Sequence, residues 1–422
     1  MKWKFRWVIV GLIFLIGALN YADRAAFSVA APMISKEFHL DAVQMGLILG
    51  SFSIGYALFN FVGGYLADRF GPRKVMAGAL AGWSAFVGLT SAGFNFISFY
   101  ILRLLFGFAE GPIATTSNKM ANQWLPARER ASAIGLYTSG MLLGGAAAGP
   151  IVGLLSLRFG WRTSFVVLTV VGLLLMLLWL KTTTDYPAQH PRVSKEELDE
   201  IQQDQGSVQS GNPSDATPNL TLWSIIRRPT ILFTAVAFFA YNYNNFFFLT
   251  WFPSYLTKAR HLSIHDMSFA TAIPWLIGAI GLMCGGILSD ALYRKTGKLM
   301  FSRKVVLAVG LFGAAVCIGV IGSVNTALEA VTLMAVGAFF LYLTAMIYWA
   351  IIQDTVPSKY IGSAGGFVHL VSNISGIIAP TVTGILVQRS GNFSSAFFLA
   401  GGLAVVGALA TVFLIGRRES RA

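Results

Sequence analysis

Four charged residues stand in stretches otherwise suited to an oily environment: Asp23, Arg24, Arg103 and Glu110. A lone charge at the centre of a bilayer costs ~3 kcal/mol or more, so such residues face a partner or a wet cavity. Two acids and two arginines sum to zero, and each acid can hold an arginine until an entering anion competes for it. The displaced acid, buried without its partner, then takes up a proton. That is the chemistry of coupling an anion to H⁺. Spacing sharpens the reading. Arg103, Gly107 and Glu110 stand at i, i+4 and i+7, one face of one helix, with Gly107 leaving room between the charges. Tyr21, Arg24 and Ser28 share a face by the same rule. Asp23 lies ~100° round from Arg24, so these two do not close on each other and their expected partners are Arg103 and Glu110. The alternative is a set of buried ion pairs that only locks two helices together.

These residues need apolar helices to hold them. Of 422 residues, 55% are hydrophobic and only 12% charged, about half the charge of a typical soluble domain, ~25%. Runs of ~20 nearly uncharged residues recur along the chain, each long enough to cross a ~30 Å hydrocarbon layer. They predict an all-α membrane protein with twelve spans: 7–31, 43–67, 75–93, 97–118, 131–155, 163–181, 229–256, 267–289, 304–323, 327–353, 361–387 and 394–416. The first is too long for a signal-peptide core and is kept as a helix. At 1.5 Å per residue, Asp23 lies ~24 Å along the first span, and Arg103 and Glu110 ~9 Å and ~20 Å along the fourth. Asp23 and Arg103 are then at similar depth, because the two spans run in opposite directions.

Most of the 31 Lys and Arg fall in alternate loops and at the termini. This predicts both termini in the cytoplasm and accounts for the net charge of +13 through anionic headgroups, without nucleic acid. Cys284 and Cys317 lie inside spans and read as small apolar residues. No metal-spaced His/Cys set, phosphate loop or nucleophile elbow is present, which argues against an enzyme.

The chain divides into an N-terminal six-span bundle (1–181), a polar cytoplasmic linker (182–228) and a C-terminal six-span bundle (229–422). In the linker, Ser194 and Glu197 form a capping-box pattern for a short surface helix. "LWSIIRRP" reads as an interfacial turn, with Trp223 and its isoleucines among headgroups and the arginines toward water. The halves repeat each other. "GGYLADRFGPRK" (63–74) closes span two and "GGILSDALYRKTGK" (285–298) closes span eight. Two parallel six-helix repeats are a transporter architecture.

"GGYLADRFGPRK" and the glycine-rich "GLYTSGMLLGGAAAGP" resemble signatures of the major facilitator superfamily. "NYADRAAFSVAAP", "QMGLILGSFSIGYALF", "RLLFGFAEGP", "QWLPARERASAIG" and "FFLTWFPSYL" are similar to its anion:cation symporter branch, over nearly the whole chain. The resemblance implies a proton-coupled importer of an organic carboxylate: a sugar acid such as galactonate, glucarate or hexuronate, or an aromatic acid. It implies no cofactor beyond H⁺ as coupling ion, a monomer, and a bacterial inner membrane. Carried over by motif, Asp23 and Glu110 would couple protons, and Tyr21 and Arg24 would bind the anion; Tyr56, which matches a family position, is a softer pocket candidate. Sugar-acid members often carry a glutamine in helix five. "YTSGMLLGG" has none, which leans toward a less hydroxylated acid. A proton-driven exporter and a non-transporting sensor on the same fold are the competing functions.

Softer candidates complete the set. Arg103 joins the anion site. Asn242 and Asn245 stand at i, i+3, able to donate to hydroxyls, and Trp349, His369 and Asn373 are further pocket candidates, His369 and Asn373 sharing a face. Asp68, Arg69, Arg73, Asp290 and Arg294 sit at cytoplasmic helix ends and read as a gate.

Overall fold

In oil an unpaired amide has no water to turn to, so each apolar run closes its own hydrogen bonds as a helix. The computed structural model describes residues 4–209, 221–357 and 360–414. All the regular structure among the described residues is helical. In chain order the helices are α1 (Arg6–Glu37), α2 (Ala42–Phe70), α3 (Pro72–Thr90), α4 (Phe96–Glu110), α5 (Ile113–Trp124), α6 (Ala127–Phe159), α7 (Trp161–Thr182), α8 (Lys195–Gln209), α9 (Leu222–Ile226), α10 (Pro229–Lys258), α11 (Ile264–Ala270), α12 (Ala272–Thr296), α13 (Leu299–Val320), α14 (Ala327–Leu343), α15 (Ile347–Thr355), α16 (Ile361–Asn373), α17 (Ser375–Ser390) and α18 (Ser394–Leu414).

They supply the twelve expected spans of an integral membrane protein. Ten are long and apolar enough to cross a bilayer by composition alone. The other two, α3 and α10, begin with Arg73 and Lys74 or carry the run "YNYNN", which makes them more polar. α10 hides that polarity, because it is buried along nearly its whole length from Thr230 to Leu256.

Four spans expected to be continuous are broken: α4–α5 at Gly111–Pro112, α11–α12 at Thr271, α14–α15 at Thr344–Met346, and α16–α17 at Ile374. Each break has a local cause. Pro112 has no N–H to continue the ladder. At the other three, hydroxyls take backbone carbonyls in competition with amides: Thr271 on Ser268, Thr344 on Leu341, Ser372 on His369 and Ser375 on Ser372. Such local bonds bend helices.

The chain forms two compact units, Met1–Phe27 with Ser51–Thr217 and Ser28–Gly50 with Pro218–Ala422. The second unit thus takes the end of α1 and the start of α2. Glycines seal that packing: a Cβ on Gly46 would lie 2.5 Å from the Pro380 carbonyl oxygen, and one on Gly384 2.3 Å from that of Ala42.

In the first unit, the linker helix α8 is tied to the start of α1. Ser194 accepts from the Glu197 amide as expected (3.2 Å), but the capping box does not close. The Glu197 carboxylate instead accepts from the backbone N–H groups of Phe5 (3.0 Å) and Arg6 (2.9 Å), two of the donors a helix start leaves unsatisfied. The wholly buried Arg6 side chain bridges Glu129 (2.7 Å) and Glu200 (3.0 Å). In the second unit, Ile225 of α9 is buried rather than interfacial. Arg227 stacks on the exposed Trp223 (4.8 Å), and Arg228 donates to the Thr355 carbonyl (3.3 Å).

Candidate functional site: an arginine pair among aromatic rings

The first unit's four charges meet because glycines let their helices approach. A Cβ on Gly55 would fall 2.1 Å from the Leu104 carbonyl oxygen, and one on Gly107 2.1 Å from that of Phe52, so α2 and α4 touch backbone to backbone. On the other side, Gly144 of α6 meets the Ala18 carbonyl, which a Cβ would approach to 1.8 Å. The site inherits this rigidity.

Arg24 donates through both Nε and Nη2 to Oε1 of Glu110. Glu110 is fully buried and Arg24 only 7% exposed. Three rings surround the guanidinium, with centroids at 5.2 Å (Tyr21), 4.8 Å (Phe52) and 4.5 Å (Tyr56). Cation–π contact of this kind contributes ~0.5–2 kcal/mol per ring. Arg103, also buried, lies over Phe27 (5.0 Å), Phe52 (5.1 Å) and Phe106 (5.2 Å). The two arginines therefore share the Phe52 ring.

One of the two expected cross-helix pairs forms as an ion pair and the other does not. Asp23 is buried, with Arg103 near enough to act on it electrostatically and Trp83 beside it, yet the two charges do not bond. Among the described residues, Asp23 Oδ1, Arg103 Nε and Glu110 Oε2 have no hydrogen-bond partner. Asn20 is buried next to Glu110, within reach of its carboxylate. The cluster thus holds one closed pair and several polar atoms with spare capacity. The sequence reading missed Asn20, Phe52 and Trp83. Phe52 was accessible to it, being four residues before Tyr56 on the same face; a single tryptophan in an apolar run gives no such signal.

The second unit engages its candidates more fully. Tyr342 donates to Asn245 Oδ1 (2.7 Å). Asn373 Nδ2 donates to the His369 carbonyl within one helix (2.8 Å). His369 lies between Trp349 (4.9 Å, tilted) and Phe238 (5.1 Å, edge-on), its buried Nε2 without a hydrogen-bond partner among the described residues, and Asn242 is buried. The neighbouring Asn244, not picked out from the sequence, ties α10 to α18 through the Ala400 carbonyl (3.0 Å).

The helix-end charges pair inside their own units. Asp68 accepts from Lys119 (2.6 Å), which also bonds the Ala67 carbonyl. Arg73 donates to the Leu180 carbonyl, and its amide to Asp185 (2.9 Å). Arg69 lies on Phe70 (5.4 Å). Asp290 pairs with Arg303 (3.1 Å), which also reaches Asp354 (3.3 Å), while Arg294 is exposed.

Known proteins match this chain along most of its length. The chain is 48% identical over 406 residues to the "Hexuronate transporter" of Bacillus subtilis, covering 96% of this chain and 93% of that one. It is 36% identical over 411 residues to the "Probable sulfoacetate transporter SauU" of Cupriavidus necator, covering 97% and 94%. In fold it resembles the crystal structure of a bacterial homologue of the human lysosomal transporter Spinster, at TM-score 0.74 and 18% identity over 98% of this chain and 96% of that one. Residues 13–380 match the family description Major Facilitator Superfamily. A twelve-span fold built on two repeats, intramembrane charges on the first and fourth spans, and these matches lead to one conclusion: the chain belongs to the major facilitator superfamily of membrane transporters.

Proposed function

We propose that this protein imports a hexuronate-type sugar-acid anion together with protons, by alternating access, across a bacterial inner membrane, as a monomer with both termini cytoplasmic. The observation that carries the reading is the Arg24–Glu110 pair. Among the described residues, a buried guanidinium held in place by three rings has a single carboxylate as its ion partner. A sugar carboxylate is the same chemical group as that partner and can take its place. Glu110 is then a lone buried carboxylate, and protonation is the cheapest way to remove that charge. Asp23 supplies the second proton-accepting group, beside Arg103 and not bonded to it. One substrate charge and two protons make entry net positive and driven by the membrane potential, at ~2.3 kcal/mol per charge per 100 mV.

The relative named for hexuronate supports a sugar acid, and the missing helix-five glutamine does not outweigh a likeness of that extent. The test is uptake of radiolabelled glucuronate into proteoliposomes under an imposed inward proton gradient, with an aromatic acid and sulfoacetate as competitors. Accumulation that follows the gradient and disappears in Asp23→Asn is expected. Uptake indifferent to the gradient, or an Asp23→Asn variant that still accumulates, overturns the coupling. Binding without transport makes the protein a sensor.

A further inference from the structure

A second feature of the first unit lies apart from the charge cluster. Between α2, α3 and α4 runs a groove of about 400 Å³, within the size range of small-molecule pockets, ~300–1,000 Å³. Its walls are apolar: Phe59, Leu66 and Phe70 from α2 and Phe108 from α4. Phe70 is half exposed. Gly78 of α3 lies in the lining, and a Cβ built there would meet nothing within 4 Å. One cation, Lys74, lines the end where α3 begins. Of the cations around it, Lys119 pairs with Asp68, Arg73 bonds the Leu180 carbonyl, and Arg69 lies over the Phe70 ring and donates to the Tyr65 hydroxyl. Lys74 is exposed and, among the described residues, has no ion-pair partner.

We propose that this groove binds one anionic glycerophospholipid, its acyl chain along the Phe59–Phe108 walls and its phosphate on Lys74. The surroundings choose the occupant. These helices span the bilayer, so what reaches an open apolar groove is a lipid tail. The free ammonium sits at the helix end, where headgroups lie, and binds phosphate as a point charge. The inference is independent of the transported solute.

The test compares phosphatidylglycerol with phosphatidylethanolamine on delipidated protein in neutral detergent, by native mass spectrometry and thermal unfolding. Wild type is expected to retain one phosphatidylglycerol and to unfold at a higher temperature with it. Lys74→Gln should weaken the preference for phosphatidylglycerol about five-fold, the contribution of one lysine at an anionic surface. Gly78→Leu fills the groove from a position with open space, so it should fold, elute as wild type and retain no lipid. Phosphatidylglycerol retained by Gly78→Leu, or equal retention of both lipids or of a free fatty acid by wild type, overturns the site. Should Gly78→Leu fail to fold, an unchanged preference in Lys74→Gln does so instead.

Discussion

Replacing Glu110 with glutamine separates a coupling carboxylate from a structural one. The side chain keeps its size, so no cavity opens, and Arg24 stays stacked on Tyr21, Phe52 and Tyr56. What disappears is the negative charge to which both Nε and Nη2 donate. In wild type an entering carboxylate must first dislodge that charge; in the variant it displaces only a neutral amide oxygen from the guanidinium. A hydrogen bond to a charged group contributes ~1.5–3 kcal/mol, and every 1.4 kcal/mol is tenfold in affinity. A neutral bond of ~0.5–1.5 kcal/mol remains, so Glu110→Gln should bind glucuronate roughly 10-fold more tightly wherever wild-type Glu110 is ionised. As pH falls and the wild-type acid protonates, the gap should close, leaving in the variant only the pH dependence that Asp23 supplies. Calorimetric titrations across the pH range, with uptake measured in parallel, read this out. Exchange of bound substrate should survive while accumulation falls and no longer responds to the membrane potential, because one of the two proton carriers is gone and the step becomes electroneutral. Weaker binding in the variant, or a pH dependence equal to that of wild type, would refute the argument and leave Glu110 as a lock between α1 and α4.

Two further outcomes follow from the packing and the linker tie. Gly107→Ala places a Cβ 2.1 Å from the Phe52 carbonyl oxygen. This should destabilise by ~1–3 kcal/mol or more, whereas Gly78→Ala, with nothing within 4 Å, should be neutral or stabilising by up to ~1 kcal/mol; thermal unfolding in detergent separates them. Hydrogen bonds from Arg6 and Lys4 hold the Glu200 carboxylate down to about 2, so its contribution is complete above the ordinary carboxylate range and fades only as pH falls toward that value. Glu200→Gln should lower the unfolding temperature by a constant amount between pH 5 and 8, with the difference narrowing only in stronger acid.

Much of the site was legible because charge in a bilayer is conspicuous. Asp23, Arg24, Arg103 and Glu110 stand out against their apolar runs, and helical spacing aligned Arg103 with Glu110. The pairing itself was only half legible. Which arginine meets which acid depends on how α1 and α4 are rotated about their axes, and glycine-to-carbonyl contacts at Gly55, Gly107 and Gly144 set that rotation. The span count followed from apolar length, but the breaks did not. Hydropathy sums side chains and ignores that Pro112 lacks an amide or that Thr344 and Ser375 turn their hydroxyls onto carbonyls. The Gly-Pro pair at 111–112 and Pro274, in the first turn of α12, carried sequence signals of their own. Glu197 was chosen for the right helix start and given the wrong donors, since no local pattern reveals that α1 begins next to α8.

The tie at Arg6 also has a consequence for biosynthesis. Its two carboxylate partners emerge 123 and 194 residues later. At ~5–20 residues per second, the second arrives roughly 10–40 s after the arginine itself. For that interval the opening span waits at the translocon with an unneutralised cation and uncapped amides. The bundle can be fastened only once the segment beyond its sixth span has been made, so a nascent chain arrested before α8 should be recognisable to proteases as unfinished.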